Sequence, residues 1–260
     1  MCTASWLFHN DGYSLFFNRD ETLTRSKAEP PEIVQIENGE ALMPIDPDGG
    51  GTWLGVNSSG WTYALLNYYQ GTAPSGPLTS RGNIVKRALH CATISQLEQA
   101  LQTLLQGRFA PFSLLCVAPQ GLAKKHKPPE QTEHNQSILL LQWTGQYLQR
   151  QIVNSLMTSS SKHFEQTQRA RQLAATHSHI PAAGCSSGKP DEHLQRHRDF
   201  HRSHNPERGT HSVCMHRKNA KTVSLSEVSV LRDVATFSYA DGSPCEANTP
   251  LCTELALRLQ

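Results

Sequence analysis

The hydrophobic and polar positions of this chain change rhythm three times. Apolar and aromatic side chains cluster in short runs first, at Thr3–Phe8 and Tyr13–Asn18. Asn10-Asp11-Gly12 between them predicts a tight hairpin. Residues 29–51, rich in Pro, Gly and Asp, read as loop around one short strand, Ile33–Ile36. A second strand pair follows at Thr52–Val56 and Thr62–Asn67, linked by Asn57-Ser58-Ser59-Gly60. The period then lengthens to that of helices, over 82–91 and 94–106. In the second of these Ile94, Leu97, Leu101, Leu104 and Leu105 form an apolar stripe, and Ser95 with Glu98 fits a capping box. Strands return at Phe112–Ala118, Ser137–Trp143 and Tyr147–Val153, with Lys124–Glu133 as a charged loop. Polar helices are expected near 162–175 and 191–201, then strands near 210–216, 221–228 and 233–239. Strands, helices and strands again, with no internal repeat or clean linker, predict a single α+β domain over 1–260.

Composition narrows the class. The longest apolar runs are short, as at Leu139–Leu141, far from the ~20 residues of a membrane span. Met1–Ser5 has neither a basic start nor a long apolar stretch, so a secretory leader is not expected, and the reading is a soluble cytoplasmic protein. Seven Cys, an odd number without a CxxC pair, argue for reduced thiols rather than a disulfide framework. Net charge is only +2, but residues 162–221 hold 11 of the 24 Lys and Arg and 9 of the 13 His. That basic region has few aromatics and no recognised motif, so no nucleic-acid partner is expected.

Cys2 carries the most chemistry. Small residues at position 2 favour removal of the initiator Met, which would leave a free α-amino group on Cys2. That amine titrates within about a unit of a free thiol and can accept its proton without a histidine. The segments around it are Met1-Cys2-Thr3, Asn18-Arg19-Asp20-Glu21, Gly50-Gly51-Thr52-Trp53-Leu54-Gly55-Val56-Asn57, then Gly60, Asn67, Ser80-Arg81-Gly82 and Gly209-Thr210. Together they resemble the NRDE family, also called the transport and Golgi organization protein 2 family. The match is dense over residues 1–85 and thin after 110. The resemblance implies an N-terminal-nucleophile-hydrolase-like fold, a four-layer αββα sandwich whose first strand opens on the nucleophile. It places Arg19 and Asp20 beside Cys2, where a cation lowers the thiol pKa and an acid orients the α-ammonium. Adjacent strand residues face opposite ways, so Arg19 is the stronger of the two as an active-site side chain. Asn154 is implied as an oxyanion donor. Asn18, Trp53, Asn57, Asn67 and His211 are the implied substrate-binding positions, His211 standing where relatives carry a basic Arg. Gly49-Gly50-Gly51 lacks a following Gly-Lys-Ser/Thr, so a tight approach of loop to strand is expected instead of a phosphate cradle.

His193, His197, His201 and His204 share one helical face, but there is no HExxH. Arg196, Arg198 and Arg202 crowd the same turns, so a solvated polar helix is expected and no metal or other cofactor. Cys214, Met215 and His216 are each capable of ligating haem, yet neighbours on one strand cannot all reach one iron, and a half-buried strand is expected. Cys91 and Cys116 read as core, and Trp6, Phe8, Trp53, Trp61 and Tyr63 as strand core or pocket wall. Two functions follow from the resemblance. One is a Cys-dependent hydrolase of non-peptide C–N bonds in a small amide or acyl compound. The other is a non-enzymatic haem- or lipid-binding or trafficking protein, as in relatives linked to Golgi organization and secretion.

Overall fold

The computed structural model describes residues 2–119, 138–151, 153, 156–180, 190–246 and 249–258. Thirteen strands and four helices are assigned among them. β1 (Cys2–His9) and β2 (Gly12–Thr22) form the expected hairpin, in register from Cys2 opposite Arg19 to His9 opposite Gly12. A side chain at Gly12 would put its Cβ 1.8 Å from the Val230 carbonyl oxygen, so the turn must end on glycine. Residues 29–45 are a second hairpin, β3 (Glu29–Ile36) and β4 (Gly39–Ile45), where only one short strand was expected. The overlooked signal is Asn38-Gly39, with Gly39 at φ +135°. β5 (Leu54–Asn57), β6 (Thr62–Asn67), β7 (Phe112–Val117), β8 (Ile138–Trp143) and β9 (Leu148–Gln151) complete a seven-stranded antiparallel sheet in chain order. The other sheet has six strands, ordered β10 (Leu156–Ser159), β1, β2, β11 (Ala220–Leu231), β12 (Val234–Asp241), β13 (Leu251–Ala256). β10 and β13 were not expected, and no strand forms at 210–216.

The sheets stack face to face around Trp6, Tyr13, Leu15, Phe17, Leu42, Val56, Leu115, Val228 and Phe237. α1 (Gly82–Ala88) and α2 (Ile94–Leu104) cover the outer face of the seven-stranded sheet through a second apolar core. The α2 stripe is as expected, but its cap is Thr93 and not Ser95: Thr93 Oγ1 accepts from the Gln96 N–H at 3.2 Å. α3 (Phe164–His177) and α4 (Pro190–Arg202) cover the six-stranded sheet. Four layers result, an αββα sandwich. The charged 124–133 loop lies outside the described residues.

The layer between α3, α4 and the first sheet is polar. Its apolar part is small, built on Ala174, Ala175, Phe200 and Val213. The rest is filled by Arg171, Thr167 and the histidine face of α4, which corrects the expectation of a solvated helix. His193, His197 and His201 are 6%, 1% and 0% exposed. Ser5 Oγ lies 2.8 Å from His197 Nδ1 and 2.9 Å from His201 Nε2, and both rings stack on Phe16. One hydroxyl can donate to one ring and accept from the other, an arrangement that needs the accepting ring neutral. Arg196, Arg198 and Arg202 point elsewhere, Arg198 to Glu227 at 2.8 Å. Burial holds His197 down to about 3 and His201 well below its ordinary value. In the unfolded chain both protonate near pH 6.5. The unfolded state therefore binds more protons below that pH, and the stability present above 6.5 is lost as pH falls. Two such groups predict a loss of about 2 kcal/mol between pH 6.5 and 5.5. Urea unfolding at the two pH values checks this; a single unchanged midpoint contradicts it.

Candidate active site

Alternation along the hairpin divides its side chains between two environments. Cys2, Ala4 and Trp6 of β1, with Tyr13, Leu15 and Phe17 of β2, face the space between the sheets. Arg19 continues that row. Thr3 and Ser5 face the helices, as do Phe16, Asn18 and Asp20. Arg19 and Asp20 are thus both buried, at 5% and 3% exposed, yet serve opposite faces of one strand.

Where β1 begins, the sandwich opens into a cavity of about 400 Å³. Cys2 is on its wall with Arg19, Trp53, Asn67 and Arg81, and Glu21, Arg25 and Asp46 stand toward one side. The Arg19 guanidinium lies over the Trp53 ring at 4.1 Å and is bracketed by Asp46 at 3.6 Å and Glu21 at 3.8 Å. Arg25 is occupied by Asp46, with Nε 3.1 Å from Oδ2. Arg81 donates to the Pro111 carbonyl at 3.0 Å, and no carboxylate among the described residues lies within 4 Å of it. Gly51 and Gly82 meet back to back at the rim: a Cβ on Gly51 would lie 2.6 Å from Gly82 Cα. The glycine run approaches the start of α1, where a close approach of loop to strand was expected.

Cys2 is 9% exposed, and its backbone nitrogen donates to Ser159 Oγ of β10 at 2.9 Å. Burial pushes the thiol above its ordinary range. The positive chain terminus opposes that rise, the Asp20 carboxylate adds to it, and a backbone hydrogen bond from Asp20 again lowers it. Behind the strand, Arg171 of α3 ties the site together. It is fully buried and donates to the Cys2 carbonyl at 3.3 Å, to Thr3 Oγ1, and to Asp20 Oδ2 at 3.2 Å. Thr222 of β11 gives Asp20 Oδ1 a further bond at 2.6 Å. Arg171 and Thr222 thus both hold Asp20. It acts on the cavity through the backbone and through its field.

Of the residues singled out from the sequence, Cys2, Arg19, Asp20, Trp53 and Asn67 meet at this cavity. Asn154 lies outside the described residues. Asn18 does not line the cavity: its amide donates to the His201 and Val213 carbonyls at 2.9 and 3.1 Å, on the helix side of β2. Asn57 is likewise used internally, donating to Leu89 and Cys91 and accepting from Ser59 and Trp61. His211 bonds Thr167 at 2.9 Å, beside α3 and away from the cavity. Trp6 belongs to the inter-sheet core, and Trp61 and Tyr63 to the core under α1 and α2. Arg171, Ser159 and Thr222 were missed, because nothing in an amphipathic pattern marks an arginine as buried. Arg81 stood in a noted segment without a role.

Two antiparallel sheets stacked face to face between helical layers make this a fold of the N-terminal-nucleophile-hydrolase type. The conjugated bile acid hydrolase of Clostridium perfringens, solved as a C2A mutant, is similar over 100% of this chain and 98% of its own, with a TM-score of 0.50 at 11% identity. An N-acylethanolamine-hydrolyzing acid amidase orthologue from Caenorhabditis elegans covers 87% and 92%, with TM-score 0.49 and 8% identity. None of the curated proteins matches the sequence. The Transport and Golgi organisation 2 family model matches residues 1–228, and the chain belongs to that family.

Proposed function

We propose that this protein is a cysteine hydrolase that cleaves a small amide bearing an anionic group, with Cys2 as nucleophile. The observation that carries the reading is the placement of Cys2: first residue of its strand, on the cavity wall, its backbone nitrogen against Ser159 Oγ and Arg19 opposite it in register. Once Met1 is removed, that nitrogen is an α-amine already held by Ser159. The buried thiol stays protonated until the amine takes its proton, so thiolate forms only next to its base. Sγ then attacks the amide carbon, the carbonyl π-pair moves to oxygen, and an amide N–H stabilises the oxyanion. Asn67 is the donor within the cavity and Asn154 the donor implied by the family resemblance. The α-ammonium returns its proton to the leaving nitrogen, the C–N bond breaks, and water releases the acyl group from Cys2.

Arg81 gives the substrate a polarity. Arg19 and Arg25 are neutralised by Asp46 and Glu21, whereas Arg81 faces the cavity with, among the described residues, a carbonyl and no carboxylate as partner. A carboxylate on the substrate would complete it. Assay of N-acyl amino acids against the matching uncharged N-acyl amides tests the reading. The charged series should turn over, and Arg81→Met should raise its KM about tenfold or more with kcat little changed, the size of one lost charged contact. Turnover of the uncharged series alone, or an unaltered KM, would contradict it.

A further inference from the structure

A second cluster of chemically active side chains lies outside the cavity. His204 follows the end of α4, Cys214 and His216 lie in the segment before β11, and Cys245 sits in the turn after β12. His204 Nε2 and His216 Nε2 are 3.2 Å apart, and each of Cys214 Sγ and Cys245 Sγ is 3.5 Å from His216 Nε2. All four ligand atoms fall within 4.8 Å of one another. We infer that these residues form a structural Zn²⁺ site of the Cys2His2 type.

The distances carry the inference. With Zn–S about 2.3 Å and Zn–N about 2.05 Å, a regular tetrahedron has N···N edges of ~3.3 Å and S···N edges of ~3.6 Å. Each of the three separations above lies within about 0.1 Å of those edges. Hydrogen bonding alone does not explain four such groups converging from three stretches of chain, since a thiol is a weak donor and acceptor. Binding would release the two thiol protons, leaving two thiolates that cancel the charge of the ion. The neutral centre tolerates its basic surroundings, Arg208 and the neighbouring Lys221. Arg208 Nη2 now lies 3.4 Å from His216 Nδ1 and, being exposed, would turn outward when Nδ1 carries the ring proton.

The backbone around the cluster is set independently of any ion. Cys214 N–H donates to the Ser203 carbonyl and His216 N–H to that of Gly209, each at 3.0 Å. Between them, Met215 N–H donates at 2.8 Å to Thr222 Oγ1, whose own hydroxyl holds Asp20. With four protein ligands and no open position, the ion would clasp α4, the 203–219 loop and the end of β12 rather than act on substrate.

The experiment uses tag-free protein, purified under reductant and away from metal-affinity resin, exposed to excess zinc, desalted and analysed for metal. Near one zinc per chain is expected. Cys245 is exposed, so Cys245→Ala keeps the fold by circular dichroism and should fall at least fivefold in zinc; His204→Ala should do the same. Cobalt in place of zinc should give thiolate-to-metal charge-transfer absorption and the strong visible bands of a tetrahedral centre. Wild type without stoichiometric metal would overturn the site, as would variants that retain it. A Cys214–Cys245 disulfide mapped in the freshly purified protein would do so too.

Discussion

Exchanging Cys2 for alanine is expected to reduce amide turnover by about a thousandfold or more, while the fold persists. The size follows from what is removed: nucleophile and base act as a unit, and without sulfur the α-amine has no proton to take. The fold should survive because the change deletes a single buried atom. The strand is fixed through its backbone, by Ser159, by Arg171 and by pairing on both sides. Cys2→Ser separates chemistry from shape. Its hydroxyl occupies the same place but is far less acidic and less nucleophilic than a thiol, so it should retain little activity. Steady-state assays beside thermal unfolding check both variants. Turnover within tenfold of wild type in Cys2→Ala would remove Cys2 from the reaction.

The largest effect on stability is expected at Arg171. Arg171→Met deletes the cation that compensates Asp20 inside a layer from which both side chains exclude water completely. Breaking a buried ion pair by removing one partner costs about 3–5 kcal/mol. The same variant withdraws donors from the Cys2 carbonyl and Thr3 Oγ1, so the start of β1 should loosen as well. Pairing it with Asp20→Asn removes the buried carboxylate charge and should restore part of the loss, leaving the neutral hydrogen bonds as the remainder. Urea unfolding of the two single variants and the double gives the coupling. A cost near 1 kcal/mol for Arg171→Met would mean that water reaches Asp20.

What the sequence revealed and what it concealed divide along chemical lines. The β1–β2 hairpin, the α1–α2 pair and most strands were legible because their apolar periods, and the Asp11-Gly12 turn, are local signals. β3–β4 was hidden by a Pro-rich stretch whose turn, Asn38-Gly39, was passed over. α4 was misread because its core-facing stripe consists of histidines. Seen as a sequence, His193, His197 and His201 look solvated; in the fold all three are buried, and His197 and His201 are matched to Ser5 and to Phe16. The candidate site shows the same division. Cys2 and Arg19 could be found because one opens the chain's first strand and the other returns beside it. Asn18 and Asn57 were expected at substrate, but a buried amide is as readily spent on helix and loop carbonyls. Arg171 comes from 151 residues further along the chain, and no local pattern connects it to Asp20.

Everything proposed for the cavity depends on Cys2 carrying both a free α-amine and the reactive thiol. Intact mass of the purified protein, followed by peptide mapping after limiting iodoacetamide, reads both at once. The expected result is a chain lacking Met1 in which Cys2 is alkylated ahead of the exposed Cys245 and Cys252. Retained Met1, or a Cys2 that reacts no faster than those surface thiols, would contradict an N-terminal nucleophile in this protein.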